Sequence, residues 1–273
     1  MTRSLLGILA AAAVLFAGGA AFAEPQDWQW GFQPAASPIA EDIHSFYDYV
    51  LLPMMVIISA FVAALMGWIM FRFAKRRNPN PARTTHNTLL EVVWTGLPIL
   101  ILIGIAVPSL RLLYYEATIP EAALTLKATG QQWYWSYEYP DQGGISFDAI
   151  MVDEADLQEG QPRLLTTDNE IVLPVGQIVR VQVTSQDVIH SWAMPVAGIK
   201  TDAVPGRLNE LWLELDEPGM YYGQCSELCG VLHGFMPITI RAVTAEEFDT
   251  WVGQQQAAMG ITSTVDVAAA AQN

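Results

Sequence analysis

Residues 225–236 read Cys-Ser-Glu-Leu-Cys-Gly-Val-Leu-His-Gly-Phe-Met, and the chain's only two cysteines are both here. Cys225, Cys229, His233 and Met236 follow one another at spacings of four, four and three. Thiolate, imidazole and thioether together are the donors of a soft, redox-active metal, copper above all. A single blue-copper centre needs one thiolate, whereas two thiolates with a second histidine suit two coppers sharing both sulfurs. Three plainer readings compete. A disulfide is open to an exported chain, but a C-x3-C pair closes a very small loop and leaves His233 and Met236 unexplained. A buried helix face fits the spacing, but Gly223, Gly230, Gly234 and Pro237 punctuate a loop rather than a helix interior. Structural zinc takes four Cys or His ligands and seldom a thioether. Residues 221–224 lead into the loop and 238–243 lead out as short apolar runs, so the loop joins two strands.

Working outward, composition divides the 273 residues into a membrane part and an exported part. With 52% hydrophobic residues and a mean hydropathy of +0.28, the chain is too apolar for an ordinary soluble protein. Arg3, the uncharged run 4–23 and Ala21-Phe22-Ala23 describe a secretory signal peptide over 1–23, followed by an exported segment, 24–48. Residues 49–71 are 23 positions without a charge and 92–110 are 19, each near the ~20 needed to cross a bilayer as a helix. We therefore expect membrane helices over 49–71 and 92–115. Pro53, Pro98 and Pro108 are tolerable there because neighbouring groups re-satisfy the freed carbonyls. The 72–91 loop carries Arg72, Lys75, Arg76, Arg77 and Arg83, which places it in the cytoplasm and both mature termini outside.

Residues 116–273 hold 6 basic and 22 acidic side chains, a formal net charge of −16. Such a field repels nucleic acid and attracts a basic partner. Val179, Val181 and Val183 alternate with polar neighbours, a half-buried strand. Residues 208–215 are a further apolar run, closed by Glu217-Pro218-Gly219. Short strands with frequent turns predict an all-β Greek-key sandwich or barrel over 116–243. A helix over 244–258 follows from a Thr244/Glu247 capping box, and a flexible tail from 259–273. Trp133, Trp135, Tyr137 and Tyr139 alternate with polar positions as a strand with one aromatic face. Of four histidines, His44 precedes the first membrane run and His86 lies by the basic loop. His190, after the 178–184 strand, is the one placed to join the cysteine loop as the second imidazole.

With these residues in view, the chain resembles subunit II of the haem–copper cytochrome c oxidases. The resemblance rests on Gln131-Gln132-Trp133-Tyr134-Trp135-Ser136-Tyr137-Glu138-Tyr139, on 164–174, on His190-Ser191-Trp192, on Lys200-Thr201-Asp202-Ala203-Val204-Pro205-Gly206-Arg207-Leu208-Asn209 and on 221–237. It implies a cupredoxin-like domain on a two-helix transmembrane hairpin, in a bacterial inner membrane with the domain in the periplasm. It implies a binuclear CuA centre held by His190, Cys225, Cys229, His233, Met236 and the backbone carbonyl of Glu227. It also implies a magnesium ion shared with the haem-bearing subunit I through the Glu227 side chain.

By the same resemblance Trp133 is the entry point for electrons from cytochrome c, Glu91 the entrance of a proton path, and subunits I and III the membrane partners. The acids nearest the aromatic run or His190 in sequence, Glu138, Asp141, Asp148, Asp153 and Asp187, are the candidates for docking a basic cytochrome. One departure stands out: Gln131 occupies a position where the family commonly has His. Trp192, Tyr222 and Phe235 are candidates for a dry shell around the metal. A membrane-anchored copper carrier is the alternative of a different class, but carriers want exposed, exchangeable ligands, and this loop sits among glycines and bulky apolar residues.

Overall fold

A computed structural model of the chain describes residues 28–260. The expected signal peptide, and the tail from 261 onward, lie outside the described residues. Contacts divide the chain into a helical unit, Glu41–Thr118, and a β unit formed by the remainder.

Among the described residues, two helices are long and apolar enough to cross a membrane: α1, Pro38–Arg72, and α2, Thr88–Ala117. Both extend beyond the charge-free runs that predict them, because a helix can continue through polar residues once it leaves hydrocarbon. α1 starts eleven residues before Tyr49, with Ser37 Oγ accepting the Ala40 N–H at 3.0 Å. It contains one π turn, Tyr47–Leu51. α2 is capped by Asn87, whose side chain accepts the Leu90 N–H at 3.2 Å. The apolar windows of both helices have no buried residue, as expected of surfaces whose solvent is lipid.

The β unit is a sandwich of two five-stranded sheets. In chain order the strands are β1 Leu124–Gln131, β2 Tyr134–Tyr139, β3 Ile145–Ala149, β4 Ile171–Pro174, β5 Val179–Ser185, β6 His190–Met194, β7 Ile199–Ala203, β8 Asn209–Leu213, β9 Gly219–Cys225 and β10 Pro237–Val243. One sheet runs β3-β2-β1-β5-β8, the other β4-β10-β9-β6-β7. β1 lies parallel to β5 and β4 parallel to β10, so the chain crosses repeatedly between the sheets. Alternation does the work that the valines predict. β5 buries every second side chain, and the inward rows of both sheets (Leu126, Trp135, Tyr137, Tyr139, Val181, Trp192, Met194, Ile240) form one core. The helix α3, Ala245–Ala258, begins at the expected capping box and lays Phe248 and Trp251 against Tyr139.

Two details position the site. Gln131 pairs with Tyr134, so β1 and β2 are joined by a two-residue hairpin made of Gln132 and Trp133. Trp133 therefore does not continue the aromatic face of β2, as its spacing suggests. The turn takes it out of the strand, leaving Trp135, Tyr137 and Tyr139 buried and Trp133 half-buried at the rim. The second detail is the 226–236 loop, which joins neighbouring antiparallel strands β9 and β10 at one end of the sandwich. Gly223 lets β9 approach β6, since a Cβ there would lie 2.1 Å from the Ala193 carbonyl oxygen.

Candidate metal centre

Cys225 is the last residue of β9 and His190 the first of β6. Trp192 pairs with Cys225 across these strands, which brings His190 to the same end of the sandwich as the loop. The loop itself has no regular structure except a short turn at His233–Phe235. It folds back so that Cys229, His233 and Met236 face Cys225.

Both cysteines carry free thiols and are buried. Their Sγ atoms lie 3.9 Å apart. Cys225 Sγ is 3.9 Å from His190 Nδ1 and donates to the Glu227 carbonyl at 3.4 Å. Cys229 Sγ is 3.7 Å from His233 Nδ1 and 3.5 Å from Met236 Sδ. Each sulfur thus has one imidazole nitrogen and one weaker donor beside it. The donor set is soft, apart from one carbonyl, and all six groups converge on the same small volume. His190, Cys225 and Cys229 alone bring their ligand atoms within 4.8 Å of one another. Such a set fits copper and supplies two thiolates where a mononuclear centre needs one.

The protein groups stabilise one thiolate of the pair. Burial pushes both thiols up. For Cys225, hydrogen bonding by His190 and by the backbone at Glu227 and Ser191 outweighs burial and holds the thiol below its ordinary range. Cys229 stays well above its ordinary range, because burial and the neighbouring Cys225 sulfur both oppose a second thiolate. A cation held by both sulfurs would remove that opposition. Burial would lower the His190 pKa, but Cys225 and Asp187 together hold it raised.

A supporting shell surrounds the donors. Asp187 Oδ1 is 2.9 Å from His190 Nε2, on the ring edge opposite the cysteines. Carboxylates in this position fix the orientation of metal-binding imidazoles. Trp135 meets the His190 ring edge-on at 6.0 Å and donates its indole N–H to the Met236 carbonyl at 3.3 Å. Gly130 lies against the same imidazole, leaving no room for a side chain. Gln132 donates to the Cys229 carbonyl at 2.7 Å and the Trp133 indole to the same oxygen at 3.3 Å. Trp192 is buried and donates to Tyr137 Oη at 3.3 Å, and Tyr222 is buried, as expected of a dry shell. Phe235 is not part of it: the short turn leaves it 44% exposed.

The other predicted residues separate. The Glu227 side chain is exposed while its carbonyl faces Cys225. Asp148 accepts from Ser136 Oγ, which in turn accepts from Gln131 Nε2 at 2.8 Å, and Tyr134 Oη donates to Gln131 Oε1 at 2.8 Å. Gln131 therefore ties the Gln132–Trp133 turn to β2 and β3. Glu138 is paired with Lys127 at 3.0 Å. Asp153 is exposed, just ahead of the Glu154–Asp156 turn. Asp141 accepts from the Thr125 N–H at 2.7 Å, at the end of β1 opposite Trp133. Glu91 lies in the first turn of α2. The roles of Asp187, Gln132 and Trp135 as braces escape the sequence reading, although the run Gln131–Trp135 marks the segment that supplies two of them.

Comparison with known proteins agrees with this architecture. Residues 124–243 match the family model "Cytochrome C oxidase subunit II, periplasmic domain", and residues 25–112 match "Cytochrome C oxidase subunit II, transmembrane domain". The "Probable cytochrome c oxidase subunit 2" of Rickettsia bellii is 51% identical, covering 89% of this chain and 90% of that protein. The cytochrome c oxidase subunit 2 of Cereibacter sphaeroides is 43% identical over 93% and 92%. The crystal structure of the periplasmic domain of subunit II of cytochrome oxidase (CoxB) of Bradyrhizobium japonicum is 56% identical. It covers 51% of this chain and 97% of that one, with a TM-score of 0.48. With its helices and its β unit each matched by a family model, and relatives aligned along most of its length, the chain belongs to the cytochrome c oxidase subunit II family and carries that family's CuA-type domain.

Proposed function

We propose that the chain is the electron-accepting subunit of a cytochrome c oxidase. Cytochrome c docks at the acidic β unit, and electrons pass by way of a binuclear CuA centre to haem in subunit I. Oxygen is there reduced to water with proton pumping. The observation that carries this reading is the meeting of two buried free thiols, two imidazoles, a buried thioether and a carbonyl in one cluster. Burial of both sulfurs favours a retained centre over a membrane-anchored copper carrier.

His190, Cys225, Cys229, His233, Met236 and the Glu227 carbonyl would hold the copper, which would supply a one-electron couple spread over two ions. The chain's own part is to hold the donors still. Asp187 orients His190, Trp135 braces Met236 and His190, and the Gln132 and Trp133 N–H groups fix the Cys229 carbonyl. A site that needs little rearrangement exchanges electrons fast. Trp133 reaches from this cluster to the rim, which suits it to receive the electron. The exposed Glu227 carboxylate is an oxygen donor suited to magnesium, shared with subunit I.

The basic 72–91 loop lies in the cytoplasm and the β unit in the periplasm of a bacterial inner membrane. The 1–23 signal peptide is removed, and subunits I and III pack against the two helices in the bilayer. Glu91, in the first turn of α2, opens a proton path into subunit I. Replacing Glu91 by alanine slows oxygen uptake by the assembled enzyme while leaving reduction of copper by cytochrome c at its parental rate, and unchanged uptake leaves Glu91 only its favourable place at a helix N-terminus.

Metal analysis joined to near-infrared and EPR spectroscopy of the copper-loaded full chain tests the central claim. Two coppers per chain and a mixed-valence signal are expected, abolished by Cys225→Ser or Cys229→Ser and retained by His44→Ala. A reproducible one-copper stoichiometry overturns the binuclear centre.

A further inference from the structure

Asp42 and Phe46 of α1 and Pro108, Arg111, Leu112 and Tyr115 of α2 line one cavity of about 530 Å³. This cavity is built within the helical unit, and its lining is ordered along the helix axes. Phe46 is one turn past Asp42 toward the charge-free span of α1, and Pro108 one turn back from Arg111 within the span of α2, so both form an apolar floor. The charge-free runs end at Tyr49 and Leu110. The guanidinium, on a stem long enough to reach outward, thus stands at headgroup depth, and the carboxylate that shares its cavity lies seven residues, about 10 Å of helix, outside Tyr49. Tyr115 forms the rim, where an aromatic ring with a polar tip belongs.

Neither Asp42 nor Arg111 takes part in an ion pair among the described residues. A carboxylate and a guanidinium that share a cavity without pairing call for a ligand carrying both charges close together on an apolar body. We propose that this cavity binds the headgroup of an aminophospholipid. Arg111 takes the phosphate, for which its planar fork is suited. Asp42 accepts from the primary ammonium, and the acyl chains descend past Phe46 and Pro108. Phosphatidylethanolamine has this pattern. Phosphatidylcholine lacks the N–H donors that Asp42 requires, and phosphatidylglycerol lacks the cation. The proposal rests on the membrane-spanning reading of α1 and α2.

The full chain is reconstituted into phosphatidylcholine nanodiscs containing equal minor fractions of phosphatidylethanolamine and phosphatidylglycerol, and the lipids it retains are read by native mass spectrometry. Phosphatidylethanolamine is expected to be enriched about tenfold over both competitors, the worth of one charge-assisted hydrogen bond. Asp42→Asn should erase its advantage over phosphatidylcholine, and Arg111→Gln should erase retention. Arg111→Lys, which keeps the charge without the fork, should weaken the enrichment and serves if the glutamine variant fails to insert. Equal retention of the three lipids overturns the site. So does preference for phosphatidylglycerol that is indifferent to Asp42→Asn, because it reveals only an anion on Arg111. Failure of the parental chain to enter the nanodisc overturns the membrane-spanning reading, and the site with it.

Discussion

Asp187 touches His190 and the Gln132–Trp133 turn at once: its Oδ1 lies 2.9 Å from His190 Nε2, and its Oδ2 accepts the Gln132 backbone N–H at 2.7 Å. One carboxylate therefore orients a metal donor and anchors the turn that presents Trp133. Partial burial would raise the Asp187 pKa, but hydrogen bonds from His190, Val188 and Gln132 bring it below its ordinary value. A carboxylate with a lowered folded pKa stabilises the fold above its ordinary range, and that stability is lost as pH falls through the lowered value. Asp187→Asn should flatten the acid limb of Tm against pH. It should also weaken copper retention by about ten- to a hundredfold, as loss of outer-shell partners does, in competition with a chelator. An unchanged chelator titration removes Asp187 from the support of His190.

Two glycines separate damage to the site from damage to the fold. A Cβ on Gly130 would lie 2.9 Å from His190 Cδ2, whereas a Cβ on Gly223 would lie 2.1 Å from the Ala193 carbonyl oxygen. Gly130→Ala presses on one imidazole, so its EPR spectrum should change while the thermal transition stays cooperative. Gly223→Ala forces β6 and β9 apart and should cost about 1–3 kcal/mol, typical of overpacking, in denaturant unfolding. Indistinguishable copper spectra of Gly130→Ala and parent overturn the first expectation.

The donor cluster was legible in the sequence because four of its side chains lie in one twelve-residue stretch, and because only four histidines compete for the remaining place. Strand alternation located β5, and the capping box located α3, since both depend on neighbours in sequence. Trp133 was misplaced for a related reason. Alternation counts positions along a strand and is blind to where a two-residue turn ends it. The Gln132 amide meets the Cys229 carbonyl across 97 residues. No local pattern encodes that contact, which exists only once the two sheets have packed. Asp187 likewise reads as one surface acid among many until β6 carries His190 beside it.

The acids should not contribute equally to the proposed docking. Asp141 is bonded at Thr125, six residues before the end of β1, so at ~3.3 Å per residue it is roughly 20 Å from the Trp133 turn. That exceeds two Debye lengths at physiological salt, about 8 Å each. Asp148 reaches the turn through Ser136 and Gln131. Asp148→Asn should lower the association rate with cytochrome c and flatten its salt dependence, while Asp141→Asn leaves both near parental values. Stopped-flow measurements across ionic strength would expose the opposite ranking, which would place the docking face elsewhere on the β unit.

Trp133 is half-buried, its indole N–H donates to the Cys229 carbonyl at 3.3 Å, and its ring lies where a Cβ on Gly230 would be 3.0 Å from Cζ2. The ring therefore bridges the rim and the loop that carries Cys229, a place a core residue does not occupy. Its removal leaves the acids untouched, so Trp133→Gln should alter cytochrome c affinity by less than about tenfold, or 1.4 kcal/mol. Gln132 still holds the Cys229 carbonyl in this variant, so the copper spectrum should remain close to parental. The rate of copper reduction within the docked complex should nevertheless fall steeply. Parental reduction kinetics with an intact spectrum would mean that electrons enter by another route and that Trp133 serves only to pack the turn onto the cysteine loop.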